Sequence, residues 1–450
     1  MDILKIISSI NNTLFEYGLC FTIGLFLGLN LLPDDFVGIV YLMLGVVCLY
    51  YAAKNNIQTV LCILAYMVYS ERYIKNKSHI VPFLFMQYFI IALFALLLLS
   101  QKKSALKMHS RAYVLLIMFC VIDFLDTLRS YDATLGRSVF TNTLSITIVA
   151  TWASFNFLTP QMMNKILNHV KLASVYLCGM IMARKFFGPP VSYNLTSMSE
   201  SLNGLSAVQM SGYLGVAASI FFFSLVDNKE KKQFWLNLFF LTLVAVQMIL
   251  SFSRGGIYFL GIIMAVFFLF NWNNVKNYFL FLLLIPIGFG VYSYVTKTTH
   301  GLVEERFGEE GNSGRTDLVK AAFELFVSNP LVGVGTSNFA DEISKNDLYN
   351  AESGSHNEFA RAAAEHGILG IITFWGFFIT IFFEILGRSK NQREYALYFL
   401  ILFCLISVHN GLKISVQPYI LVFVIATPTL ITIKKKPTHV PAPQELETGY

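Results

Sequence analysis

The sequence predicts an all-α polytopic membrane protein. Of its 450 residues, 55% are hydrophobic and 13% are charged, and this charged fraction is about half that of an ordinary soluble domain. The mean hydropathy is +0.60. Apolar runs close to the length of about 20 residues that a helix needs to cross a bilayer recur through most of the chain. The net charge of +6 comes from basic residues in short loops between these runs, so it indicates no nucleic acid partner.

The apolar runs predict about 12 to 14 transmembrane helices. In chain order, the predicted spans are 14–32, 36–53, 57–70, 80–100, 112–127, 139–159, 172–188, 204–226, 234–252, 255–272, 277–294, 368–387, 395–413 and 416–434. The third run is shorter than a bilayer requires, so it is predicted to be re-entrant or interfacial.

Basic residues in the short loops predict the orientation, because cytoplasmic loops carry an excess of Lys and Arg. Four basic groups fall on one side of the predicted spans: 102–111, 229–232, 388–393 and 434–436. That side is therefore the cytoplasm, and both termini are expected there. The polar segment 295–367 then faces outward, which is the periplasm if the cell is Gram-negative. Arg72, Lys75 and Lys77 would lie outside in this arrangement, against the same rule.

These predictions divide the chain into four parts. A bundle of about 10 to 11 spans occupies 1–294, and a periplasmic segment with short helices follows at 295–367. The last three transmembrane helices occupy 368–434, and a cytoplasmic tail occupies 435–450. The tail is rich in Pro and polar residues, which predicts disorder.

The cysteines predict neither a disulfide framework nor a zinc site. All six lie in apolar segments, and none belongs to a CxxC pair. They are interpreted as small core residues. We therefore expect the thiols to remain free and to bind no zinc.

The outward-facing segment is acidic and contains few arginines. Its sequence predicts an amphipathic helix over Thr316–Val327, which Asn329-Pro330 would end. The apolar face of this helix consists of Ala321, Ala322, Leu325 and Phe326. The glycine-rich LVGVG sequence that follows lacks the Lys-Ser/Thr pair of a nucleotide-binding loop, so no nucleotide is expected there.

His356 is the strongest candidate for a catalytic residue. Ser355 can cap the next helix, with Glu358 completing a capping box, and His356 would then take the first helical position. The positive end of a helix favours a neutral imidazole, the form that acts as a general base. From position alone, a cap or surface role is the more common one for such a histidine. Gly367 is expected to end this helix before the next span.

Arginines at the outer boundary form a candidate site for a lipid-linked pyrophosphate. A guanidinium keeps its charge and donates two parallel hydrogen bonds, which suits phosphate. Arg254 lies where one span emerges, Arg315 precedes the amphipathic helix, and Arg184 ends another span. The alternatives are structural. Arg254 could snorkel, Arg315 could pair with a glutamate, and the Arg184-Lys185 pair could anchor its span at the interface.

Arg361 is a weaker candidate for substrate binding. It lies on the helix that follows His356. Glu358 and Glu365 are three and four residues away on that helix, so an ion pair on the helix surface is the alternative.

Four short motifs resemble landmarks of the bacterial O-antigen ligase and O-antigen polymerase superfamily, in the same order. They are Ser253-Arg254-Gly255 after an apolar span, Gly314-Arg315 before a helix, Pro330-Leu331-Val332-Gly333-Val334-Gly335, and His356-Asn357 followed by Gly367 and Gly370. The resemblance covers about 235–390, and the first half of the chain is similar only as a run of spans. Each motif alone is weak, but the four in this order are fairly specific.

The resemblance implies a GT-C type integral membrane glycosyltransferase. Its donor would be a glycan on undecaprenyl pyrophosphate. Membrane lipids would be further partners. The reaction would need no nucleotide, no metal and no other cofactor. Arg254 and Arg315 would bind the pyrophosphate, together with Arg184. His356 would take the proton of the acceptor hydroxyl while the anomeric carbon is inverted, and Asn357 would orient the sugar or the imidazole.

Two branches of the superfamily and one other class of protein are alternatives. A ligase passes the glycan to a sugar of the lipid A core in lipopolysaccharide biosynthesis. A polymerase of O-antigen, capsule or exopolysaccharide passes it to another lipid-linked repeat. The complete Gly367-Ile368-Leu369-Gly370 signature favours the ligase. A transporter or lipid flippase is the more distant alternative, and Asp123 and Asp126 near the outer end of a span are its best support.

Overall fold

The computed structural model describes residues 12–101, 108, 110–196, 199–227, 231–271, 273–308, 315–345, 355–387, 396–408 and 414–426. All regular secondary structure in these ranges is helical, with no strand among them. The predicted all-α fold class is therefore confirmed. The predicted tail lies outside the described residues, as do most residues of the four basic groups, and the division into four parts stays a prediction.

The helices are labelled α1 to α18 in chain order. The first nine are α1 Asn12–Gly28, α2 Asp34–Ala53, α3 Ile57–Lys77, α4 Phe85–Leu99, α5 Ala112–Asp126, α6 Ala133–Ser154, α7 Pro160–Phe187, α8 Ala207–Asp227 and α9 Lys231–Leu250. The others are α10 Arg254–Phe270, α11 Val275–Thr298, α12 Leu302–Gly308, α13 Arg315–Ser328, α14 Phe339–Ser344, α15 Glu358–Gly370, α16 Gly376–Leu386, α17 Ala396–Val408 and α18 Val416–Ile425. One π-helical turn, Ile371–Trp375, joins α15 to α16.

Six stretches of the described residues are long and apolar enough to cross a membrane. They are α2, α7, most of α8 and of α9, α11, and Glu358–Leu386, which runs from α15 to α16. Five shorter apolar helices accompany them: α1, α4, α10, α17 and α18. Every predicted span overlaps one of the helices α1 to α18. The chain is thus a multi-pass membrane protein, while the predicted number of spans stays a prediction.

Helix α3 corrects one prediction, because it is not a short segment. It runs unbroken over Ile57–Lys77, 21 residues or about 31 Å. Glu71 and Arg72, at which the apolar run stops, are both buried. Lys75 Nζ lies 2.5 Å from Glu71 Oε1, and the Tyr213 hydroxyl donates to Glu71 Oε2 at 3.0 Å. Pairing inside the bundle lets the helix continue, so Arg72 and Lys75 belong to a packed helix and not to an outer loop.

Close helix packing positions the end of α7, which carries Arg184. A Cβ on Gly24 of α1 would lie only 2.0 Å from the carbonyl oxygen of Tyr176, and small residues are typical of such contacts in membranes. The side-chain amide of Asn203 donates to the Met180 carbonyl oxygen at 3.0 Å. The last turns of α7 are therefore held by α1 on one side and by the loop after α7 on the other.

Candidate active site

Residues 355–357 form a turn before α15, and the cap of that helix differs from its prediction. Asn357 is the N-cap, because its side-chain oxygen accepts hydrogen bonds from the backbone N–H groups of Phe359 and Ala360 at 3.0 and 3.1 Å. The predictions that Ser355 caps the helix and that His356 takes its first position are therefore wrong. His356 lies outside α15, two residues before it begins.

His356 has a left-handed backbone conformation with φ of 50°. Residues with a Cβ adopt it at a cost, and they keep it where their surroundings determine the backbone. Here Ser355 is buried, and its hydroxyl donates to the Asn357 carbonyl oxygen at 3.1 Å. The His356 side chain is half-buried. Because such conformations cluster at functional sites, this one supports His356 as the functional residue of the turn.

Gly367 breaks α15. Its φ of 60° and ψ of −144° are a combination that glycine adopts readily and other residues do not. The chain then folds back on itself, because a Cβ on Gly370 would lie 2.1 Å from the carbonyl oxygen of Ala362. The prediction that Gly367 ends the helix is confirmed, and the fold-back explains why Gly370 follows it.

The glycine-rich turn after α13 docks on this break. The N–H groups of 334–335 donate to the carbonyl oxygens of 364–365 at 3.0 and 2.9 Å. Beyond the break, the Ile368 N–H donates to the Pro330 carbonyl oxygen at 2.8 Å. Helix ends leave such backbone groups without intrahelical partners, so the turn completes the hydrogen bonding of both helical pieces.

Gly333 makes this docking possible. Its φ is 62°, and a Cβ there would lie 2.3 Å from the carbonyl carbon of Glu365 and 2.4 Å from the nitrogen of His366. A Cβ on Gly367 would likewise lie 2.7 Å from the carbonyl oxygen of Leu331. The Pro330–Gly335 motif and the 356–370 motif therefore interlock backbone to backbone.

A buried polar cluster holds the interlocked motifs against α5. His366 is fully buried, with Nδ1 2.7 Å from Asp126 Oδ2 and Nε2 3.4 Å from Asp123 Oδ1. The Thr336 hydroxyl donates to Asp123 Oδ1 at 2.7 Å. The imidazole of α15 thus lies between two carboxylates of α5. We name this set, together with the arginine that follows, the α5 cluster: Asp123, Asp126, Arg129, Thr336 and His366.

Arg129, in the turn after α5, extends the cluster to the glycine-rich turn. Its guanidinium lies 3.0 Å from Asp126 Oδ1 and donates to the carbonyl oxygens of 332–333 at 3.1 and 2.7 Å. The side chain of Asn338 donates to the Arg129 carbonyl oxygen at 2.8 Å and accepts from the Tyr131 N–H at 2.8 Å. The glycine-rich turn is therefore held by α15 on one side and by the turn after α5 on the other.

Tyr131 connects the turn after α5 to α14. Its hydroxyl donates to Glu342, and Lys345 Nζ lies 2.6 Å from the same carboxylate. Partial burial raises the pKa of Glu342, but the hydrogen bonds from Lys345 and Tyr131 outweigh it and bring the pKa below its usual value. Glu342 therefore stays charged and keeps α14 against the turn.

The structure therefore accounts for Asp123 and Asp126 as supports of α15 and of the glycine-rich turn. They are the best sequence evidence for a transporter, since carboxylates near a membrane often mark an ion path. In the structure, Asp123 instead accepts a hydrogen bond from Thr336 in the glycine-rich turn, and Asp126 contacts His366 of α15. The observation that favours transport is accounted for by structure.

Replacing Asp126 with Ala is expected to destabilise the protein by roughly 1–3 kcal/mol, because it leaves the buried Nδ1 of His366 without its hydrogen-bond partner. His366 and Arg129 would lose the carboxylate that they share. The measurement is the midpoint of thermal unfolding of the purified protein. The control is Asp317→Ala, because Asp317 is 58% exposed and lies 3.6 Å from Lys320, so its loss should cost less than about 1 kcal/mol. Equal midpoints for both variants would contradict a structural role for the cluster.

Arg361 is engaged by two carboxylates of its own helix. Its Nε lies 2.6 Å from Glu358 Oε2, and a terminal nitrogen lies 2.5 Å from Glu365 Oε2. All three side chains are buried or nearly so. This is the ion pairing that the sequence offers as the alternative to substrate binding, and it stiffens α15 between its cap and its break.

Arg254 is the first residue of α10 and follows a tight turn. Phe252 in that turn is buried and left-handed, with φ of 56°. The Ser211 hydroxyl donates to the Ser253 carbonyl oxygen at 3.2 Å and accepts from the Gly256 N–H at 2.8 Å. One serine of α8 thus holds both sides of Arg254. The Arg254 side chain itself is half-buried.

Arg184, in the last turn of α7, lies at the same end of the bundle as Arg254. Its guanidinium is 3.4 Å from Glu200. The next residue, Ser201, donates from its hydroxyl to the carbonyl oxygen of Leu250 at 2.8 Å. Leu250 is the last residue of α9, four residues before Arg254. The short helical turn at Glu200 therefore connects the two arginine-bearing ends.

Arg315 is the first residue of α13, and its side chain lies outside the described residues. The helix predicted over Thr316–Val327 is confirmed with one more residue at each end, Arg315–Ser328. Asn329-Pro330 follows it, as predicted. The match supports the sequence position of Arg315 at the opening of an amphipathic helix.

Helix α13, which begins at Arg315, packs against α15, which follows His356. Leu318 and Ala322 of α13 form a buried apolar cluster with Ala364 of α15. The C-terminal ends of the two helices meet through the glycine-rich turn described above. Leu318 lies near the start of α13, so this cluster extends over most of that helix.

The α5 cluster is the part of the site that sequence reasoning did not identify. The one available signal is the spacing of Asp123 and Asp126 on one face of an apolar helix near its end. That spacing predicts that the two carboxylates have hydrogen-bond or ion-pair partners, but it does not identify those partners. His366 and Thr336 lie more than 200 residues further along the chain.

A family model described as O-antigen ligase matches residues 238–375 of the chain. The matched region contains Arg254, Arg315 and His356, and Arg184 lies before it. It also lies inside the region of about 235–390 over which the four motifs resemble that superfamily. The resemblance to the O-antigen ligase superfamily is thereby confirmed. No curated protein matches the chain.

Proposed function

We propose, on the premise that this chain is a member of the O-antigen ligase superfamily, that it is an O-antigen ligase. It transfers a glycan from undecaprenyl pyrophosphate to a hydroxyl of the lipid A-core oligosaccharide, in lipopolysaccharide biosynthesis. It acts as an inverting glycosyltransferase of the GT-C type. Neither a nucleotide nor a metal ion is needed, because the pyrophosphate is already a good leaving group.

The observation that carries this proposal is the interlock of two motifs at the C-terminal end of α15, the helix that follows His356. The glycine-rich turn completes the broken end of α15, and the α5 cluster anchors both to the membrane bundle. The result is a rigid support with one left-handed, half-buried histidine at its far end. Catalysis by positioning requires such a fixed base.

The arginines would hold the donor. Arg254 and Arg315 bind the two phosphates of the pyrophosphate, with Arg184 as a weaker member that already contacts Glu200. Charge-assisted, forked hydrogen bonds stabilise the negative charge that grows on the pyrophosphate as it leaves. Arg361 is assigned to the support of α15, because two carboxylates already surround it.

His356 would be the general base. The acceptor oxygen forms its bond to the anomeric carbon on the face opposite the pyrophosphate, while the bond from that carbon to the phosphate oxygen breaks. The electron pair leaves with undecaprenyl pyrophosphate, and the acceptor proton passes to the imidazole of His356. The side-chain oxygen of Asn357 already accepts the hydrogen bonds of the helix cap. Its amide nitrogen is therefore the group that would orient the sugar or the imidazole.

The site would face the periplasm of a bacterial inner membrane, with both termini in the cytoplasm. The basic loops between the spans support this orientation. The lipid anchor of the donor then keeps the pyrophosphate at the membrane surface, beside the arginines at the helix ends. The acceptor, a lipid A-core glycan, is anchored in the same membrane.

Deletion of the gene tests the proposal on a gel of lipopolysaccharide. Loss of all O-antigen from the lipid A core, with accumulation of lipid-linked polymer, is the result expected of a ligase. A core capped with one repeat unit would identify a polymerase and overturn the ligase assignment. Purified protein that transfers glycan between lipid-linked donor and acceptor without added energy would separate either enzyme from a flippase.

Replacing Arg254 with Ala is expected to lower kcat/KM for the lipid-linked donor by about 10- to 100-fold. The reason is that a hydrogen bond to a charged group contributes roughly 1.5–3 kcal/mol. Arg254→Lys should recover part of the loss, because it keeps the charge without the fork. Arg137, exposed in the first turns of α6, provides the control. If Arg137→Ala lowers kcat/KM equally, the effect is one of general surface charge and the proposed role of Arg254 is wrong.

A further inference from the structure

Helix α13 divides into three sectors when its side chains are placed at about 100° per residue. One sector is buried and contains Leu318, Ala321 and Ala322. It packs against Phe339 of α14 and Ala364 of α15. This is the apolar face that holds α13 in the outer segment.

The neighbouring sector is also apolar, but it is exposed. Val319, Phe323 and Val327 follow one another at four-residue spacing, with 41%, 64% and 59% of their surface exposed. Leu331, just after the helix, continues the row and is 71% exposed. We call these four side chains the apolar strip of α13.

The third sector is polar and contains Asp317, Lys320, Glu324 and Ser328. Lys320 and Asp317 form an exposed ion pair at 3.6 Å. If water covered both exposed sectors of α13, polar residues would be expected in both. An apolar exposed sector beside a charged one is instead typical of a helix that lies in a membrane interface.

The apolar strip continues onto the surface of a membrane span. The Pro330 carbonyl oxygen accepts from the Ile368 N–H at 2.8 Å, which joins the end of α13 to the apolar stretch Glu358–Leu386. Ile368, Leu369 and Ile372 at the start of that span are exposed. This bond brings Leu331, at the end of the strip, close to Ile368, at the start of the span, so we expect the same solvent to cover both exposed rows.

We propose that α13 lies in the interface of the bilayer, with the apolar strip inserted among lipid acyl chains. The polar sector, with Lys320 and Glu324, then faces water and headgroups. The partner of this surface is the membrane itself, at the side where the last spans begin.

This placement has a consequence that rests on the proposed function. Arg315 opens α13, so a helix lying in the interface keeps it at the depth of lipid headgroups. That is the depth at which a membrane-anchored pyrophosphate presents its charge. The apolar strip would thus set the height of a donor-binding arginine above the acyl chains.

The test measures the depth of a nitroxide label on the full chain in lipid nanodiscs with one copy per disc. Phe323→Cys carries the label, and Lys320→Cys on the polar sector of the same helix is the matched control. Oxygen concentrates among acyl chains, and a nickel chelate stays in water. The ratio of collisions with oxygen to collisions with nickel is expected to be several-fold higher at 323 than at 320. Wild-type protein treated with the label gives the background from the native cysteines, all buried or half-buried.

Two results would overturn the proposal. Equal collision ratios at the two positions would put the strip in water. Protection of position 323 from both reagents would mean that protein covers it, either a second copy or another chain. If Phe323→Cys does not fold, Val327→Cys on the same strip replaces it. Because no activity is measured, either result leaves the proposed ligase reaction standing.

Discussion

His356→Ala is expected to lower the rate of glycan transfer by about 10²- to 10⁴-fold, the loss typical of removing a general base. Without the imidazole, no fixed group takes the proton of the acceptor hydroxyl as its oxygen bonds to the anomeric carbon. The side chain is half-buried in a turn, so its removal leaves no large cavity and the protein should remain folded. Initial rates with purified protein, lipid-linked donor and acceptor measure the effect.

His300 provides a control that matches in residue type and backbone. It also precedes a helix of the same segment, has φ of 52° and is exposed. His300→Ala should therefore transfer glycan at the wild-type rate. If His356→Ala unfolds at the wild-type temperature and transfers at the wild-type rate, His356 is not the base. If both variants lose activity equally, the imidazole of His356 has no special role.

Gly333→Ala is expected to destabilise the protein by roughly 2–5 kcal/mol. The left-handed backbone, with φ of 62°, costs an alanine about 1–2 kcal/mol. Overlap of the new Cβ with the backbone of Glu365 and His366 adds about 1–3 kcal/mol. The thermal unfolding midpoint measures the sum. Because the interlock supports His356, the rate of glycan transfer should fall even at temperatures where the variant is folded.

Gly301→Ala separates the two contributions. Gly301 also has a left-handed backbone, with φ of 84°, but a Cβ there meets no atom within 4 Å. This variant should show the backbone cost alone and keep its transfer activity. If Gly333→Ala and Gly301→Ala have the same midpoint and the same rate, the close contact between the glycine-rich turn and α15 contributes nothing.

The helical fold is largely predictable because each span satisfies its backbone hydrogen bonds within itself. Composition and apolar runs are therefore enough to locate helices, and α13 is predicted to within one residue at each end. Helix α3 is the instructive failure. The apolar run stops at Glu71, whose partners Tyr213 and Ser415 lie 142 and 344 residues away. No local pattern reveals those partners, so a buried charge looks like the end of a span.

The prediction of the α15 cap is wrong for a different, local reason. Ser355 and Glu358 have the spacing of a capping box, in which the glutamate returns to the cap backbone. In the structure the Glu358 carboxylate lies 2.6 Å from Arg361 instead. Asn357 then takes the cap, and His356 is left outside the helix. Competition between two local partners decided the turn, and the sequence shows both without ranking them.

The sequence by itself determined the membrane fold class, the location of most helices and the residue types that bear the proposed chemistry, His356 and the arginines. Only the tertiary structure decided how His356 is held. Gly333 touches the backbone of His366, and His366 bonds Asp126, 240 residues earlier in the chain. Span patterns are local because lipid demands that backbone groups pair within each helix. The support of the site consists of contacts between distant segments, and only folding brings them together.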